Sequence, residues 1–214
     1  MKCPECNEEN DVKATYCNHC SYQLKVAKGK KDKLIADKEG KKHTIFISHA
    51  DGDKTIVEKF CKMLDNILCT CLHPADYKIF RSSETGCIEC GKDGNHEVHA
   101  KLHICKNMFC ILTAKSYKRP WILYEIGYLK GKSSKKNFMP IAIGIEKKKI
   151  INQGLPYSRF QIYECDDAHL SELMIIFLNK IIPNHCNGRE ENLKKSFAPH
   201  INEFLTESNN IFQI

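Results

Sequence analysis

The chain of 214 residues has no apolar run approaching the roughly 18 to 20 residues a bilayer-spanning helix needs, so a helical membrane span is excluded. Met1-Lys2-Cys3-Pro4 lacks the basic-then-apolar character of a signal peptide, and a cytoplasmic location is expected. There is no internal repeat and no low-complexity stretch apart from one rich in lysine. A basic face is missing too. The net charge of +7 comes from 33 basic against 26 acidic residues, but residues 25–42 alone hold eight lysines against Asp32, Asp37 and Glu39, leaving +5 there. The remainder is only mildly basic, so nucleic acid is not the expected partner, and the lysine run reads as a solvated linker. Nor is there an even set of cysteines. Thirteen thiols fit reduced side chains and metal ligation better than a secreted disulfide framework.

What is present begins at the first residues. Cys3-Pro-Glu-Cys6 and Cys17-Asn-His-Cys20 are two CxxC pairs ten residues apart. Each pair can form a tight turn whose amides face the sulfurs, and four thiolates would close a tetrahedral structural zinc site with no open position. Cys3, Cys6, Cys17 and Cys20 are the expected ligands, with His19 a less favoured substitute. A segment of about 24 residues builds no core alone, so zinc there supplies folding energy rather than chemistry. The segment resembles the small zinc ribbons of many bacterial proteins, with Asn7 and Ser21 where those usually carry glycine. Asparagine tolerates the left-handed backbone such a turn needs.

Beyond the linker, short apolar runs alternate with helical periodicity. Strands are expected at His43–Ser48, Tyr77–Phe80 and Met108–Thr113, within residues 138–144, and over 160–165. Helices are marked by Ile56, Phe60, Leu64 and Ile67, by Val98, Leu102 and Cys105, and by Leu170 through Leu178; a last one spans about Glu190 to Leu205. The alternation implies an α/β fold with a parallel sheet covered on both faces. In the flavodoxin-like order 2-1-3-4-5, a ligand crevice opens between the carboxyl ends of the first and third strands. The Ser48–Asp53 loop and the segment after the third strand then share it.

That segment, SYKRPWILYEIGYLKG (116–131), places one carboxylate, Glu125, in an otherwise apolar helix. Pro120 suits its first position and Gly131 its stop. Ile122, Ile126 and Leu129 make a buried stripe, and Glu125 falls beside Trp121 and Tyr128 on a second, aromatic face. There a carboxylate can hold ligand hydroxyls while rings cover the bases; the plain alternative is a solvated glutamate.

Read together, FISHADGDKTIVEKF (46–60), IFRSSETGCIECGKD (79–93) and LTAKSYKRPWILYEIGYL (112–129) resemble a Toll/interleukin-1 receptor (TIR) domain of the bacterial kind. The resemblance implies a TIR domain over 43–165, completed by a helical segment at 166–214, after a 1–24 ribbon and a 25–42 linker. It implies an enzyme that cleaves the nicotinamide–ribose bond of NAD as hydrolase or cyclase, in bacterial, anti-phage type defence or signalling. The alternative is a non-catalytic scaffold acting through TIR–TIR assembly. Glu125, in Glu125-Ile126-Gly127, takes the catalytic position. Ser48, His49, Ala50 and Asp51 are implied to line the nucleotide pocket, against a plain connection in which Asp51 or Asp53 caps the helix. Arg81, Ser82 and Ser83 open a loop that in relatives mediates assembly or closes over substrate. Trp121, counted with Arg81 and Ser82 among the candidate nucleotide-binding residues, stacks on a base or belongs to the core, the residue by itself favouring the core. NAD as substrate, self-association and an upstream activating signal are the implied partners. Cys87xxCys90 with His96xxHis99 has metal-like spacing but reads as adventitious, and the other cysteines read as small apolar residues or free surface thiols.

Overall fold

A computed structural model describes residues 2, 7–11, 43–82, 94–132 and 136–213. Cys3, Cys6, Cys17 and Cys20, the 25–42 stretch, and Ser83, Cys87 and Cys90 lie outside them. The chain divides into two compact units, Met1–Gly40 and Lys41–Ile214. In the first, Lys2 pairs antiparallel with Glu9. Asn7, next to the first cysteine pair, has φ +62°, the left-handed conformation expected of it.

The second unit is a five-stranded sheet in the order β2-β1-β3-β4-β5, every pairing parallel. Its strands are β1 (His43–Ser48), β2 (Tyr77–Arg81), β3 (Asn107–Leu112), β4 (Asn137–Ala142) and β5 (Tyr163–Glu164). The helices are α1 (Lys54–Cys69), α2 (Gly94–Ile104), α3 (Pro120–Lys132), α4 (Lys147–Ile151), α5 (Asp167–Ile181) and α6 (Glu190–Phe212). Among the described residues, no helix is long and apolar enough to cross a membrane.

Alternation along the strands sorts side chains between two cores. Ile45 and Ile47 of β1 with Phe109 and Ile111 of β3 join α1, α5 and α6 on one face. Phe46 of β1 with Met108, Cys110 and Leu112 of β3 join α2, α3 and α4 on the other. β3 is buried at all six positions, as a central strand covered on both faces must be. In the first core, Phe60 of α1 meets Phe109 edge-on at 5.4 Å and Phe204 of α6 at 5.8 Å, and Phe109 meets Phe177 of α5 at 4.9 Å. The C-terminal helices thus complete this core, each buried apolar side chain contributing about 1.5–3 kcal/mol over exposure.

Candidate active site

Ser48 ends β1 with the parity of Phe46, so its side chain turns to the α2–α3 face at the carboxyl edge of the sheet. Its partner in register on β3 is Cys110. Both are fully buried, and α3 lies over them. At 100° per residue, Glu125 stands about 60° round the helix from Ile122 and about 40° from Leu129, at the border of the buried stripe rather than on the outer face. Its exposure is 0%. Ser48 Oγ donates to Glu125 Oε2 at 2.5 Å, while Oε1 has no hydrogen-bond partner among the described residues. The solvated-glutamate reading is thereby overturned: the carboxyl is buried against Ser48 at the border of the apolar stripe.

Burial pushes the Glu125 carboxyl up to about 8, because removal from water disfavours the charged form; the Ser48 hydroxyl and the Trp121 indole pull it partly back. Trp121 stands one turn from Glu125 on α3 and makes no hydrogen bond of normal geometry to it, since Oε1 stays unpartnered among the described residues and Oε2 is held by Ser48. Desolvation also raises the Cys110 thiol beneath it and pushes Cys105 up to about 11, so both are inert thiols at neutral pH.

The expected core placement of Trp121 is corrected. Its ring is 36% exposed, because an indole about 100° from Ile122 projects past the rim of the buried stripe. It stacks on Tyr124, ring centroids 5.3 Å apart. Tyr128 is half-buried on the same flank, so the aromatic face exists but borders Glu125 rather than containing it.

The other expected ligand residues separate into two groups. His49 is buried and braced by Ser82, whose Oγ accepts from the His49 N–H at 3.2 Å and lies 3.0 Å from His49 Nδ1. The Ser82 N–H donates to Ile47 O at 3.0 Å, prolonging the β1–β2 pairing. Burial lowers the His49 imidazole's pKa, favouring the neutral ring. Ala50 is half-buried, whereas Asp51 is exposed and pairs with Lys54 at 3.0 Å. Arg81 ends β2, 3.7 Å from Glu58. Ser48, Glu125 and Trp121 come together; Asp51 and Arg81 make their contacts with charges on α1 instead.

Asp53, weighed as a helix cap, occupies the cap position of α1 but its side chain makes no cap bond. Instead Oδ1 accepts from Thr113 Oγ1 at 3.0 Å, and Thr113 lies 3.0 Å from Ser116 Oγ. All three are buried, and Asp53 Oδ2 has no partner among the described residues. This tie between the loops after β1 and β3 escaped sequence reasoning, as did Cys110 under Glu125; the Thr113-x-x-Ser116 turn was its only sequence signal. His99 of α2 bonds Tyr124 through Nε2, so that nitrogen is engaged within the protein rather than open to a metal.

Glu164, Asp166 and His169 also bring ligand-type atoms within 4.8 Å of one another. Asp166 there accepts from the His169 N–H at 2.9 Å and meets its Nδ1 at 2.6 Å, the local bonds of a cap for α5.

No protein-family model matches the chain, and no curated protein matches it.

Proposed function

We propose that the chain is a TIR-domain protein of the bacterial kind that cleaves the nicotinamide–ribose bond of NAD. The observation that carries this reading is Glu125: a carboxyl at the β1–β3 switch point, one oxygen held by Ser48 and the other without a partner. The bond to nicotinamide breaks heterolytically, and its electron pair leaves with a ring that is already cationic. One carboxylate therefore suffices, where ordinary glycosidases need a pair. Ionised Glu125 holds ribose hydroxyls through Oε1 and stabilises positive charge developing on the ribose, in a site from which water is kept out. Water as acceptor gives ADP-ribose and a proton; a nucleophile within the same molecule gives a cyclic product.

The full chain incubated with NAD, its products separated by chromatography, is expected to lose at least about 100-fold in rate on Glu125→Gln, which keeps shape and removes charge. NAD loss undiminished by that substitution would sink the assignment. The second reading is a scaffold without catalysis, favoured by the complete burial of Glu125. Under it, substitutions in residues 81–95 abolish self-association in light scattering while Glu125→Gln changes nothing.

Cys3, Cys6, Cys17 and Cys20 are proposed to hold one structural zinc. Their spacing supports this, as does Asn7 at φ +62° directly after the first pair. A role in defence or signalling, with self-association and an activating signal, completes the proposal.

A further inference from the structure

Glu125 is fully buried, yet a ligand ribose has to reach its carboxyl, so part of the surrounding wall must move. The geometry singles out one side chain. Trp121 lies one turn before Glu125 on α3, where side chains at i and i+4 are neighbours, and its ring is partly exposed while Glu125 has no exposure. Its ring rests on Tyr124 at 5.3 Å, the planes 27° apart. The Tyr124 hydroxyl bonds Nε2 of His99 on α2. The His99 ring in turn lies flat against Tyr128 of α3, with centroids 4.9 Å apart and planes within 5°. One imidazole from α2 therefore grips two tyrosines of α3, and the first of these carries Trp121.

We propose that His99 is a positioning residue whose clasp on Tyr124 and Tyr128 holds Trp121 as a lid over Glu125, and that the ring swings away when a nicotinamide dinucleotide enters. The proposal rests on the reading of Glu125 as the reactive carboxylate. A ligand that meets only the open form binds with an affinity reduced by the open fraction. Loosening the clasp accordingly raises apparent affinity and leaves the chemical step alone.

Trp121 is the only tryptophan in the chain, so its fluorescence reports the lid directly. In the full-length protein, acrylamide quenching is compared among wild type, His99→Ala and Tyr124→Phe, the last keeping the ring and losing only the hydroxyl that bonds His99. The quenching constant is expected to rise about two-fold in His99→Ala and less in Tyr124→Phe, with melting temperatures retained, and KM for NAD to fall by a similar factor at constant kcat. Wild-type quenching in both variants would overturn the clasp, and raised quenching with unchanged KM would overturn the lid. If His99→Ala does not fold, Tyr124→Phe decides. If NAD is cleaved equally by wild type and Glu125→Gln, the reading of Glu125 fails, while quenching still decides whether the clasp exists.

Discussion

Burial, with no neighbouring cation among the described residues to offset it, sets the protonation of Glu125, and raises its pKa where a partner cation would lower it. The folded chain keeps its proton up to about pH 8, whereas the unfolded chain releases it near 4.5. The neutral form's contribution to stability is therefore complete below pH 4.5 and is lost as pH rises from there through 8. The loss is at most on the order of a few kcal/mol. Glu125→Gln mimics the neutral carboxyl at every pH, so its melting temperature is expected to match wild type near pH 5 and to exceed it increasingly toward pH 8.5. Thermal denaturation across that range tests the point, and a difference that does not vary with pH would refute it. Under the proposed NAD cleavage, which needs the ionised form, kcat/KM is expected to climb over the same interval with a midpoint near 8. At this scale the sequence disclosed Glu125 and its meeting with the Ser48 loop, since both follow from strand order. It did not disclose the exposure of Trp121 or the grip of His99, because those depend on how rings from two helices pack and not on spacing along one.

At the scale of elements, one close approach is between the residue two past β4 and the last turn of α6. Gly144 has φ +62°, and a Cβ built there lies 2.8 Å from the Phe212 ring. Gly144→Ala therefore meets two obstacles, a left-handed backbone and a clash, and is expected to destabilise by roughly 1–3 kcal/mol in urea unfolding. Phe212→Ala in the same chain removes only the steric part. The double variant should thus be less destabilised than the two single effects added together, and strict additivity would show that Phe212 does not press on Gly144. This contact was illegible in the sequence, which placed the end of α6 near Leu205. The apolar pattern Phe197, Ile201, Phe204 breaks at Ser208, a buried polar residue that nevertheless faces inward, 4.0 Å from Cys165 Sγ. β1 matched its expected bounds, and α3 began at Pro120 as expected, because both carry strong local signals. β5 shrank to Tyr163–Glu164: Phe160 pairs with the Phe138 ring at 4.9 Å instead of extending the strand. Five-residue α4 is too short for a periodic signal.

For the whole molecule, the division at Gly40 and Lys41 separates a core held by buried apolar contact from a segment too small to hold itself that way. The sheet, its two cores and the proposed site all lie within Lys41–Ile214. Residues 41–214 alone are therefore expected to melt where the full chain does, within a few degrees. The first unit depends on thiolates if the proposal for its four cysteines is right. Metal binding is then its folding free energy, and losing the metal unfolds it without touching the sheet. Elemental analysis of the full chain purified under reducing conditions is expected to give about one zinc per chain, reduced to trace by Cys17→Ser with Cys20→Ser. Thermal melting followed on the same variant should leave the main transition in place, because Phe60, Phe109, Phe177 and Phe204 are unaffected. Stoichiometric zinc surviving that double substitution would refute the four-cysteine site. A collapse of the main transition would refute the independence of the two units, and would mean that the N-terminal unit is part of the fold that presents Glu125.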